Sequence, residues 1–258
     1  MTTDGRYIYC IIKANGTQTF GPLGIGGRGD QLYSIVHNNI AAVVSNSPIT
    51  SYPVSRENLI AHEKAIEEVM KAHTVLPVRF CTIAGSDEKV KGILETAHDK
   101  FYDLLGVMAG KKELGLKAVF PVKGAQAGGK GDIYGHILEK HADIRALKEK
   151  IAALPVNQTH AQRMAIGEMV EAALEQEKEL CKNDILAVLS PLAAEVKVNS
   201  NYGELMILSA AFLVEYNKEA YFDKLVEQLD AKYGNRIKFK YVGTLPPFNF
   251  VNLVINTD

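Results

Sequence analysis

Three features of the 258-residue sequence predict an α+β protein in two domains. The first is a set of short β-rich runs near the start, at residues 6–12, 32–36 and 40–44. The second is a pair of helical apolar stripes between residues 55 and 108. The third is the order of elements in the second half, which reads strand, helices, strand, strand, helix, strand. The length exceeds what one compact core usually organises. An N-terminal α+β domain is therefore placed at residues 1–112 and a second domain at 113–258.

Residues 6–12 (Arg-Tyr-Ile-Tyr-Cys-Ile-Ile) predict a strand buried on at least one face. A polar, glycine-heavy loop follows through Asp30. His37-Asn38-Asn39 is a natural turn between the next two strands. Ser55 is the expected N-cap of a helix, with Asn58 in the place of the capping-box glutamate. In that helix Leu59, Ile66, Val69, Met70 and His73 fall near one face. A second helix is expected through Val90, Ile93, Leu94, Ala97, Phe101, Leu104, Leu105 and Met108.

In the second half, residues 116–122 read as a strand, and residues 124–135, with five glycines, as a flexible connector. Ile137, Ile144, Leu147, Ile151 and Leu154 then form one stripe ending at Pro155. A matching stripe runs from Ala161 to about Val188, through Ile166, Met169, Ala173, Leu174, Leu180, Cys181 and Ile185. A long helical hairpin buries both. Residues 195–198 and 205–215 are strands joined by a turn-rich loop, residues 218–233 a helix ending at Gly234, and residues 237–242 the last core strand. This is a ferredoxin-like βαββαβ order whose first crossover is expanded into the hairpin, followed by an extended C-terminal tail.

Composition removes several function classes. A formal net charge of −1 argues against broad capture of nucleic acid or anionic membrane. Cys10, Cys81 and Cys181 lie far apart without a CxxC pair, so they read as isolated thiols in a reducing cytosol. The segment from Met1 to Arg6 lacks the basic-then-apolar layout of a signal peptide. The longest apolar run, residues 205–214, has ten residues where a membrane span needs roughly 20. The sequons at Asn15 and Asn157 are read as chance matches.

The motifs point away from a reaction centre. The segment from Gly21 to Asp30 lacks the strand before it and the helix after it that a phosphate cradle requires, and it has no Gly-Lys-Ser/Thr, so it reads as a structural loop. His62-Glu63 opens like a zinc-protease helix, but the position four residues on is Ile66, which removes the second ligand. The remaining histidines are scattered. No catalytic, cofactor-binding or metal-binding residue is assigned, and no cofactor is expected. Leu76-Pro77-Val78-Arg79-Phe80 reads as a strand opened by proline, with Arg79 paired to a glutamate of the preceding helix. The tail residues Pro246, Pro247, Phe248 and Phe250 read as an extended arm, either folded over its own domain or docking a partner. These four are the candidate partner-binding residues.

Six segments in order carry a resemblance: Arg6-Tyr7-Ile8-Tyr9, Ile25-Gly26-Gly27-Arg28-Gly29-Asp30, Ala41-Ala42-Val43-Val44-Ser45, Ala61-His62-Glu63, Leu76-Pro77-Val78-Arg79-Phe80 and Pro246-Pro247-Phe248-Asn249-Phe250. Together they resemble the gas vesicle accessory proteins GvpF and GvpL, from residue 6 to about 251. Cys81 departs from the family's usual glycine, and Thr244-Leu245 with Phe248 replace a Gly-Pro-rich tail bearing tyrosine. The resemblance implies a minor component or assembly factor of the gas vesicle, cytoplasmic and located at the vesicle, that contacts the small hydrophobic shell protein GvpA and often other accessory proteins. It implies no catalytic site. A small-molecule-binding regulatory module built on the ferredoxin-like half is the alternative.

Overall fold

The computed structural model describes residues 4–121, 133–152, 154–155 and 158–256. They form two compact units. The first comprises Met1–Glu113, Leu213–Tyr216 and Gly243–Asp258, and the second comprises Leu114–Phe212 and Asn217–Val242.

The first unit is built on a sheet with β1 (Gly5–Lys13), β2 (Thr19–Gly21), β3 (Leu32–His37), β4 (Ile40–Ser47), β5 (Val75–Pro77) and β6 (Ile83–Ala84). The order is β2-β3-β4-β1-β5, with β6 also pairing β1, and the pairings are antiparallel. Tyr7 through Ile12 are fully buried, which a central strand covered on both faces requires. Helix α1 (Arg56–Met70) covers one face, where Ala65, Ile66 and Val69 join Tyr7, Tyr9 and Val43 in one apolar cluster. Helices α2 (Asp87–Thr96) and α3 (His98–Met108) pack against β1, β3, β4 and β5 and supply none of that cluster.

Several expectations change here. The single helix expected across Ala97 is two helices, because Ala97 leaves helical geometry at φ −110° and ψ 15°. Ser55 caps α1 as expected, its Oγ accepting from Asn58 N–H at 3.2 Å. Asn58 does not complete a capping box; its Nδ2 donates to the Pro53 carbonyl, which also accepts from Ser55 N–H. Leu59 is 42% exposed, and the buried face turns instead through His62, Ala65, Ile66 and Val69. Pro77 closes β5 rather than opening a strand.

The second sheet contains β7 (Lys111–Val119), β8 (Ala193–Val198), β9 (Met206–Glu215) and β10 (Lys238–Leu245), in the order β10-β7-β9-β8. Between β7 and β8 lie α4 (Ile133–Lys140), α5 (Ala142–Ala152) and the 30-residue α6 (His160–Leu189); α7 (Glu219–Tyr233) joins β9 to β10. Most of the expected glycine connector at 124–135 lies outside the described residues, although its last three residues open α4. The stripe from Ile137 to Leu154 is two helices broken at His141. Leu180, expected in the buried stripe of α6, is 53% exposed; Ala173, Leu174, Cys181, Ile185 and Leu189 face inward with Glu177.

Glu177 is the main buried charge of the second unit, its side chain 8% exposed. Lys140 reaches one carboxylate oxygen at 2.6 Å, and Arg236 reaches the other at 2.8 Å, with His136 Nε2 at 3.5 Å. Burial pushes the Glu177 carboxyl up, but the bond to Lys140 and the charges of Lys140, His136 and Arg236 outweigh it and hold it below its ordinary range. One carboxylate thus ties α6 to α4 and to the turn after α7.

Candidate partner-binding cleft

The first unit organises its polar core around His62, which is 3% exposed on the inner face of α1. Its Nε2 lies 3.2 Å from the Val78 carbonyl, and its Nδ1 lies 3.1 Å from the Tyr7 hydroxyl. A carbonyl only accepts, so Nε2 carries the hydrogen and Nδ1 accepts from Tyr7. The Tyr7 oxygen in turn accepts the Cys81 N–H at 2.8 Å. Burial depresses the His62 pKa to about 4, against the Val78 bond that favours the charged ring, so the ring is neutral near pH 7. Tyr9 works in parallel: its hydroxyl accepts from Ile25 N–H at 2.7 Å and bonds Ser45 Oγ at 2.9 Å.

These bonds explain the sequence motifs as architecture. The short strand β2 ends at Gly21, so a strand does precede the loop, contrary to expectation; but Ile25–Gly27 is one 3-10 turn and β3, not a helix, follows, so the loop has no helix N-terminus to offer an anion. Gly26, Gly27 and Gly29 all adopt positive φ, which only glycine accepts readily. Arg28 closes the loop with ion pairs to Asp4 at 2.8 Å and Asp30 at 3.0 Å.

The C-terminal segment, expected within the second domain as an extended arm, has its contacts in the first unit and is a compact turn. Phe250 N–H and Val251 N–H both donate to the Pro247 carbonyl, and Leu253 makes a parallel bridge to Val78. Asn249 anchors the turn through its N–H and Nδ2 on the Glu113 carboxylate, at 2.9 and 2.6 Å. Pro246, Pro247 and Phe250 are consequently buried, and of the four tail candidates only Phe248 is exposed, at 41%.

Phe248 stands over the His62 ring, their centroids 6.2 Å apart, at the mouth of a cleft of about 420 Å³. Leu59, Phe80 and Leu253 give it apolar walls, while Glu63 and Arg79 stand among its lining. Burial and the neighbouring Glu67 raise the Glu63 carboxyl. Arg79 is exposed and makes no ion pair among the described residues, so the expected pairing with a helix glutamate does not form. The cleft therefore joins three segments that sequence reasoning singled out separately. Leu59, expected on the buried face, opens onto the cleft, and the adjacent Ile60, 38% exposed, marks the same outward turn of α1. Among the described residues no group of three or more His, Cys, Asp or Glu is placed to hold a metal ion. No helix among them is long and apolar enough to cross a membrane.

The model of the family described as gas vesicle synthesis protein GvpL/GvpF matches residues 5–252. The chain belongs to the GvpL/GvpF family. It is 27% identical to gas vesicle protein F of Nostoc sp., covering 97% of this chain and 99% of that protein. It is 24% identical to gas vesicle protein F1 of Halobacterium salinarum over 99% of this chain and 97% of that one. It is also 24% identical to gas vesicle protein L of Streptomyces sp. over 98% and 95%. The crystal structure of GvpF from Anabaena sp. PCC7120 superposes with a TM-score of 0.79 at 25% identity, covering 97% of this chain and 99% of that chain. This GvpL/GvpF-family fold is thus a mixed helix and sheet structure with two antiparallel sheets, and its role is related to gas vesicles. Cys81 has φ +64°, in the left-handed region that glycine enters most readily.

Proposed function

We propose that this GvpL/GvpF-family protein is an accessory factor of gas vesicle formation that binds the shell protein GvpA at the cleft beside Phe248. The observation that carries this reading is the combination of Leu59, Phe80, Phe248 and Leu253 around one opening, with Arg79 exposed beside it. A small, strongly apolar shell subunit needs apolar surface on any partner that handles it before assembly. We read the role as binding rather than catalysis, because the ionisable groups beneath the cleft, Tyr7 and His62, are spent on bonds that hold Tyr7, His62 and Val78 together. We place the protein in the cytoplasm at the vesicle. The second sheet's strand order, β10-β7-β9-β8 with helices in both crossovers, supports a ferredoxin-like reading of that half.

Co-purification of GvpA with this protein, together with a deletion strain scored for vesicles, tests the proposal. Failure to retain GvpA together with normal vesicles in the deletion strain would sink it. A second reading, a small-molecule module, is favoured by a separate opening of about 690 Å³ between α2, α3 and Val254–Asn256, which lies in the first unit and not in the ferredoxin-like half where that alternative was expected. That volume suits a small ligand. A thermal shift on adding nucleotides or amino acids supports it, and the absence of any shift removes it.

A further inference from the structure

Strand β8 is a sheet edge. It ends the order β10-β7-β9-β8, and no other described strand pairs its outer side. Ala194, Glu195, Lys197 and Val198 are exposed, and Ala193 and Val196 only half-buried. Edge strands are usually blunted by proline, a bulge, an inward-pointing charge or charged side chains, lysine above all. Ala-Ala-Glu-Val-Lys-Val contains no proline, and its two charges, Glu195 and Lys197, are of opposite sign, so they complement a second copy of the strand instead of repelling it.

The direction of its free hydrogen-bonding groups follows from its bond to β9. Asn199 N–H donates to the Ser209 carbonyl. Backbone groups alternate sides along a strand, so residues 195, 197 and 199 face β9, and Ala194, Val196 and Val198 direct their N–H and C=O outward.

We infer that β8 pairs with β8 of a second copy of this chain, antiparallel and centred on Val196. The sequence is self-complementary in that register. Val196 faces Val196 of the partner subunit in a pair that exchanges both backbone bonds, and Ala194 faces Val198 of the partner subunit twice over, by symmetry. Glu195 then stands directly opposite Lys197 of the partner subunit, in the closer spacing of a non-hydrogen-bonded pair. These two residues already lie 3.6 Å apart along their own strand, so pairing turns one ion pair per chain into a two-by-two block of charges in which every neighbour is of opposite sign. A one-residue slip sets like backbone faces out of step, and a two-residue slip sets Glu195 opposite Glu195 or Lys197 opposite Lys197, which selects the centred register. The result is one continuous sheet running through both copies. A six-residue ladder is small for a specific interface, below about 1,200 Å², so the dimer is reversible. The inference does not depend on GvpA binding.

Sedimentation velocity of the full chain from about 1 µM to about 1 mM tests it, since weak interfaces dissociate in that range. The wild type is expected to shift from monomer toward dimer with concentration. Val196→Pro removes one outward N–H without touching the ladder to β9, and is expected to stay monomeric with an unchanged circular dichroism spectrum. Lys197→Glu is expected to weaken dimerisation at least about threefold, and the swap Glu195→Lys with Lys197→Glu to restore it. A wild type that is monomeric throughout overturns the inference, as does a Val196→Pro variant that dimerises like the wild type.

Discussion

The Tyr7 hydroxyl donates to His62 Nδ1 at 3.1 Å across 55 positions of sequence, and the same oxygen accepts the Cys81 N–H. This one oxygen links the central strand, the covering helix and the segment that leaves the sheet edge. The cleft beside Phe248 rests on it, because His62 forms its floor and Val78, bonded to His62 Nε2, lines its wall.

Tyr7→Phe leaves the buried His62 Nδ1 and the part-buried Cys81 N–H without partners. The loss is expected to be about 2 kcal/mol, more than the roughly 1 kcal/mol of an ordinary hydrogen bond, because the unpaired groups stay desolvated. Urea denaturation of the two proteins checks this. A change below about 0.5 kcal/mol contradicts the shared role of the hydroxyl.

The neutral His62 makes stability depend on pH in a defined window. Its pKa falls from 6.5 in the unfolded chain to about 4 in the fold, so the unfolded state binds the proton first. The contribution is complete above pH 6.5 and is lost as pH falls toward 4, reaching roughly 3 kcal/mol. Carboxylates titrate in part of the same range, so the difference between wild type and His62→Gln is the quantity to follow. That difference is expected to shrink steadily as pH falls through the window; a constant difference contradicts a neutral buried ring.

Cys81 adopts φ +64°, where a side chain costs about 1 kcal/mol relative to glycine. Its Sγ also accepts the Tyr52 N–H at 3.2 Å, a weak bond that offsets part of the strain. Cys81→Gly is expected to be neutral or stabilising by up to about 1 kcal/mol, while Cys81→Val, branched at Cβ, is expected to lose more than about 1 kcal/mol. Melting curves of the three proteins decide the order.

Glu177→Gln leaves Lys140 and Arg236 facing each other and His136 without an anion. Because both long cations are about half exposed, solvent screens the repulsion, and the expected loss is about 1–2 kcal/mol. The loss is expected to grow at low ionic strength. A variant as stable as wild type at low salt contradicts the assigned role of the carboxylate in joining α4, α6 and the turn at Arg236.

Much of the fold was legible where local pattern and burial coincide. Residues 6–12 and 40–44 are apolar enough to mark central strands, and Ser55 with Asn58 marks the start of α1. The break at Ala97 carries no glycine or proline, so periodicity ran through it. Leu59 looked like core because an apolar residue at helical spacing does not reveal which way the stripe turns, and here buried His62 turns it. The tail was hidden for a different reason. Its turn depends on Glu113 meeting Asn249, a pairing 136 positions apart that no local signal announces. The cleft is non-local in the same way, since Leu59, Phe80 and Phe248 come from three separate segments.

Docking of GvpA at this cleft is tested most directly by measuring its affinity for wild type and for the double variant Leu59→Ser, Phe248→Ser. Both side chains are about two-fifths exposed, so the double variant is expected to fold with an unchanged circular dichroism spectrum. The expected result is GvpA binding by wild type that weakens at least about tenfold in the folded variant, as loss of an apolar anchor requires. Equal affinity of the two proteins for GvpA contradicts the account.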